Sequence, residues 1–236
     1  MRINLDITTK SYKTHPFKSQ FPSKNIGFTD IKKIKSDKEY TSLLKKLKGC
    51  KDWPIDWIIG NKFEQGLMPY IGNLDISDII NTFMRNGTIL ENVYTKFFVE
   101  NIIRLFDYSL KKVDKIYGNY QGFVYRYGEV DLDSKNYVSA ASNPNGAVLF
   151  VGEYRFHCNH PLHVIQIKNG HKIEEVQKKL NYNQTYIDES EIIIEPTNFE
   201  HVEKPSDKML NAKEELIKAL KTKHLKSNKI ILLKEI

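Results

Sequence analysis

The sequence predicts an α+β protein with a helical front and a β-rich core. Apolar residues at helical spacing dominate up to about residue 117, short β-branched and aromatic runs dominate after Gly118, and no repeat, low-complexity tract or clear linker separates them. With 236 residues, 40% of them hydrophobic, the chain is long enough to bury a substantial core. The expected organisation is an arm or irregular lead-in over 1–29, then a single domain over 30–236, helical over 30–117 and β-rich over 118–236.

Residues 1–27 are polar and carry Pro16 and Pro22 between aromatic residues, with one short strand expected at 3–7. Over 30–47, Ile31, Ile34, Tyr40, Leu43, Leu44 and Leu47 fit one or two helices, ended by Gly49 and Pro54. A stronger helix starts at Asp75 or Ser77, either of which can cap it ahead of Ile79, Ile80, Phe83 and Met84, and it stops at Asn86-Gly87. The next covers 92–113, with Val93, Phe97, Ile102, Leu105, Phe106, Leu110 and Val113 on its apolar face. Strands are predicted at 123–127, 162–168, 192–195, 199–202 and 230–233, interrupted by a lysine-rich amphipathic helix over 207–223.

The formal charge of +7 favours an acidic partner, nucleic acid included, although a lysine-rich solvated surface accounts for it as well. Cys50 and Cys158 can form at most one bridge and so give no support to a disulfide framework. No stretch approaches the roughly 20 apolar residues that span a bilayer, and the N-terminus lacks a signal-peptide core, so no membrane partner is expected. The expected compartment is a cytosol, the producing cell's own or a host's.

Three segments of the β-rich half carry candidate chemistry. In Gly122-Phe-Val-Tyr-Arg126-Tyr-Gly128 an arginine ends a strand and a glycine follows it. Such an arginine can fork onto a phosphate or carboxylate while the glycine admits a flat ligand; a surface ion pair at a sheet edge explains it too. In Tyr137-Val-Ser139-Ala-Ala-Ser-Asn-Pro144 a serine precedes a turn and an apolar helical patch over 147–151. Ser139 can hydrogen-bond a carboxylate, and Ser142 or Asn143 suits a helix cap. In Glu189-Ser-Glu191-Ile-Ile-Ile-Glu-Pro196, strand alternation would put Glu189 and Glu191 on one face, about 7 Å apart by the strand rise. Two repelling carboxylates fit an exposed strand face, but the three isoleucines after them say that the strand dives into the core, and carboxylates at the mouth of a buried strand line a cleft more often than an open face.

In this order the segments resemble the mono-ADP-ribosyltransferase superfamily of the arginine–serine–glutamate type, found among bacterial toxins and effectors. Its pattern is Tyr-Arg, then aromatic-x-Ser-Thr-Ser, then Glu-x-Glu. The stretch 79–87 is similar to the family's helical lead-in, and 162–168 with Asn169-Gly170 to its central strand and turn. The chain departs in keeping only the first serine of Ser-Thr-Ser, as Ser139-Ala140-Ala141, and in placing Tyr127 between Arg126 and Gly128.

The resemblance implies helices packed on a split, mixed β-sandwich. It implies NAD as co-substrate, bound by Arg126, Gly128, Ser139 and Glu191, with Glu191, Glu189, Ser139 and Arg126 as the catalytic set. Glu191 would stabilise the ribosyl cation through the ribose 2'-hydroxyl. Ser139 would hold Glu191, Arg126 would grip the phosphate or ribose, and Gly128 would offer backbone groups to the nicotinamide amide. Glu189 would face the acceptor, and residues 181–188, with Tyr182 and Tyr186, would read it. The implied acceptor is a macromolecule, protein before RNA or DNA, and a toxin-like chain also leaves room for a neutralising antitoxin or immunity partner.

Two other readings stay open. A noncatalytic nucleic-acid binder would use the same basic charge, but no recognisable module supports one. His157, Cys158, His160 and His163 are ligand types that zinc accepts, yet they match no finger spacing and have no second cluster, so no metal site is expected.

Overall fold

A computed structural model describes residues 32–53, 58, 60–86, 96–133, 137–153, 160–180, 190–225 and 229–236. The expected strand at 3–7 lies outside these residues. Mixed helix and strand follow in the order α1 Asp37–Lys48, α2 Lys62–Gly72, α3 Leu74–Asn86, α4 Lys96–Tyr117, β1 Tyr120–Tyr127, β2 Val138–Ala141, α5 Pro144–Glu153, β3 Leu162–Lys172, α6 Ile173–Leu180, β4 Glu191–Ile194, β5 Phe199–His201, α7 Asp207–Thr222 and β6 Ile230–Glu235.

Caps account for several boundaries. Ser36 accepts from the Glu39 backbone and starts α1 there, with Ile34 buried just ahead of it. The cap of α3 is Asn73, whose side chain accepts from the Ile76 backbone, rather than Asp75 or Ser77. In α4, Phe97 leaves the expected apolar face: it is exposed beneath the Lys46 ammonium, while Phe98 and Val99 are buried. Helix α2 was not expected, because Gly66 and Pro69 sit inside it. A capping box begins it: Asn61 accepts from the Phe63 and Glu64 backbones, and the Glu64 carboxylate accepts from the Asn61 backbone.

Glu64 does more than cap. Fully buried, it also accepts from the Tyr117 hydroxyl and the Lys179 ammonium, each at 2.7 Å. Three kinds of donor therefore replace the water it loses, and α2, α4 and α6 are tied at one carboxylate.

The strands form one sheet in the order β1-β2-β4-β3-β6-β5, and a further pairing of β1 with β3 joins β1, β2, β4 and β3 into a ring. Among the described strands β3 and β6 pair in parallel and the other pairings are antiparallel. The strands expected in a split sandwich are thus hydrogen-bonded into one connected sheet. Val124, Val138, Ala140, Ile165, Ile192, Ile194 and Leu233, contributed by β1, β2, β3, β4 and β6, pack into one cluster. On the other side α5 and α7 cover Tyr125, Ala141 and Val164. The expected turn at Asn169-Gly170 is instead continuous strand. There β3 passes from β1 to β4, and a Cβ on Gly170 would come within 2.4 Å of the Ile192 side chain, so only glycine permits that approach.

A polar cluster locks the helices to the sheet. Tyr137 donates to Asp107 at 2.6 Å, and buried His171 meets Asp114 at 2.9 Å and Glu195 at 3.4 Å, the latter an ion pair without hydrogen-bond geometry. Burial works against a charged His171, but Asp114 and Glu195 overcome it and raise the imidazole to about 9. His171 therefore contributes stability in full below its ordinary value of 6.5 and loses that contribution as pH climbs to about 9. Chemical denaturation between pH 6 and 9.5 is expected to show a decline of at most about 3 kcal/mol from this group, absent in His171→Gln. An equally steep decline in the variant would remove His171 as its source.

Candidate active site

The site is assembled where β2 and β4 run antiparallel. Ala141 lies opposite Glu191 and Ser139 opposite Ile193, so Ser139 and Glu191 are diagonal neighbours on one face. The Ser139 hydroxyl donates to Glu191 Oε1 at 2.7 Å. Tyr70, arriving from α2, donates to the same oxygen at 2.5 Å. Glu191 is buried, 6% exposed, so these hydroxyls replace solvent around its carboxylate.

Arg126 ends β1 close by. Its Nη1 donates to the Ser139 carbonyl and its Nε to the Glu129 carbonyl at 3.3 Å. The guanidinium thus braces the serine-bearing strand against β1, and the structure places it on these backbone oxygens. Opposite Arg126 on β3 sits His163. Burial first, and then the neighbouring guanidinium, hold its imidazole down at about 4, so it stands neutral beside Arg126. Gly128 has φ +104°, a conformation that disfavours any side chain, and its N–H donates to the Pro161 carbonyl at 3.0 Å.

The entrance to β4 is held from α5. Ser190 is left-handed, with φ 48°; its carbonyl accepts from the Ser142 backbone at 2.7 Å, and its hydroxyl accepts from the Asn143 amide. Asn143 also caps α5 by accepting from the Gly146 backbone at 3.0 Å, whereas Ser142 donates to Glu174 of α6 at 2.9 Å. The strand begins only at Glu191. Regular strand alternation is therefore described from Glu191 onward, with the left-handed Ser190 just ahead of it. Glu189 itself, with 181–188, lies outside the described residues.

His157 and Cys158 also lie outside them, while His163 belongs to β3 and His160 is exposed. Among the described residues no group of three or more His, Cys, Asp or Glu could hold a metal ion, and no helix is long and apolar enough to cross a membrane.

Tyr70 is the site residue that sequence reasoning missed. The Asn61-x-x-Glu64 capping box could have revealed its helix, but nothing local to Met68-Pro69-Tyr70 points to a carboxylate far along the chain.

No protein-family model matches the chain, and no curated protein matches it. Among solved structures it is similar to Vis toxin, an ADP-ribosyltransferase from Vibrio splendidus, at TM-score 0.41 and 16% identity over 89% of this chain and 90% of that one. It is also similar to the ADP-ribosyltransferase HopU1 of Pseudomonas syringae pv. tomato DC3000, at TM-score 0.43 and 15% identity over 87% and 100%. The type III effector XopAI from Xanthomonas axonopodis pv. citri gives TM-score 0.38 and 11% identity over 84% and 77%.

Asn143 has two separable duties. Asn143→Ala is expected to lower stability by about 1–2 kcal/mol through loss of the cap. Asn143→Asp is expected to keep the cap while losing the donor to Ser190, recovering most of that stability. Urea unfolding of both variants distinguishes them; equal losses would mean that the cap contributes nothing.

Proposed function

We propose that the chain is an NAD-dependent mono-ADP-ribosyltransferase of the toxin or effector kind, acting in a cytosol. The observation that carries this reading is the Ser139–Glu191 hydrogen bond at the mouth of a buried strand, with Arg126 bracing the serine's backbone. These are three of the four residues in the catalytic set that the sequence resemblance implies, and they come together from three strands.

The chemistry asks for such a carboxylate. Breaking the bond between the nicotinamide nitrogen and ribose C1' sends the bonding pair to nicotinamide, which leaves neutral, and puts positive charge on C1' and the ring oxygen. Glu191, fixed by hydroxyl donors, stabilises that charge and accepts the ribose 2'-hydroxyl. A nucleophile of the acceptor then bonds to C1' and gives up its proton. For an arginine acceptor, whose pKa exceeds about 12, the proton leaves as the bond forms, and Glu189 is the group we assign to receive it. Gly128 and Arg126 complete the dinucleotide site in this reading, and a protein arginine is the proposed acceptor.

Glu191→Gln keeps the size of the side chain and removes its charge. It is expected to slow nicotinamide release from NAD at least about 100-fold, as chromatography of the reaction reads it; near-normal release would sink the proposal. Incubating the protein with lysate and labelled NAD, then treating with protease or nuclease, tests the acceptor. Label lost to protease and resistant to nuclease is the expected outcome. The reverse would assign a nucleic-acid base, which the charge of +7 would help to recruit.

A further inference from the structure

We infer that Tyr70 is a positioning residue for Glu191: with Ser139 it pins one carboxylate oxygen and so fixes the orientation of the carboxylate. This rests on the transferase reading above. The terminal torsion of a glutamate is broad, so a single donor leaves its carboxylate free to rock. Here the phenol at 2.5 Å and the serine hydroxyl at 2.7 Å converge on the same Oε1, one from a helix and one from a strand. Two donors on one oxygen from separate elements define the plane of the carboxylate.

Tyr70 is itself fixed well enough to do this. It is buried on α2, its ring lies 4.9 Å from the Phe106 ring of α4, and its hydroxyl is also 3.2 Å from Asn81 of α3. The phenol has one proton, and the shorter contact takes it. The Asn81 amide is in turn 3.3 Å from the Ser77 hydroxyl. Helix α2 is anchored through Glu64 to Tyr117 of α4 and Lys179 of α6. The helical half therefore supplies a functional group to the sheet's carboxylate, and the position of that group is set by contacts with three other helices.

Tyr70→Phe removes one oxygen atom and keeps the ring contact with Phe106. The expected result is a fall of about 10- to 100-fold in kcat for nicotinamide release, with KM for NAD changed less than about threefold and Tm nearly unchanged. In a double-mutant cycle with Ser139→Ala the two losses are expected to be non-additive, since both act through the same oxygen. A proton spectrum of the wild-type protein gives a readout independent of turnover: a downfield phenol resonance lost in both Tyr70→Phe and Glu191→Gln. Wild-type kcat in Tyr70→Phe, a loss carried by KM or Tm alone, or absence of that resonance from the wild type would each overturn the inference. If Glu191→Gln is inactive while Tyr70→Phe keeps full kcat, only the role of Tyr70 falls. If Glu191→Gln turns over normally, the transferase reading fails and takes this inference with it.

Discussion

A carboxylate removed from water costs several kcal/mol unless donors stand where the water was, and Glu191 is 6% exposed. Much of the structure around it follows from that requirement. The Ser139 hydroxyl reaches it because β2 and β4 pair in one register, and a shift by one residue would turn Ser139 to the opposite face. The Tyr70 hydroxyl reaches it because α2 is held against the sheet side of the helical half. The left-handed Ser190 sets where the strand begins, and α5 holds that bend through Ser142 and Asn143.

A second buried carboxylate shows the alternative. Glu64 is met by the Lys179 ammonium as well as by neutral donors, so its charge is balanced within the fold and its role is to tie helices together. The two donors on Glu191 Oε1 are neutral hydroxyls, which orient the carboxylate. The same contrast separates the histidines: His171, between Asp114 and Glu195, is a charged structural tie, whereas His163 beside Arg126 is neutral.

How much was legible depended on whether the relevant signal was local. Helices α1, α3, α4 and α7 were visible from apolar residues recurring on one face, although the caps moved their ends and Phe97 turned outward. Helix α2 was hidden by Gly66 and Pro69, and α6 by its brevity. Strand β2 offers only Val-Ser-Ala-Ala, too short and too small to announce itself, although it carries Ser139. Nothing in the spelling Glu-Ser-Glu indicates that Ser190 is left-handed or that the strand begins only at Glu191.

The sequence by itself determined the order of the candidate residues along the chain, namely Arg126, then Ser139, then Glu191, and the division into a helical front and a β-rich core. Both follow from side-chain identity and short-range periodicity. Only the tertiary structure decided that Arg126 grips the Ser139 carbonyl, that the sheet closes through β1 and β3, and that a tyrosine of the helical half completes the clamp on Glu191. These depend on which distant segments share space, and a hydrogen bond between residues 70 and 191 leaves no mark on the neighbours of either.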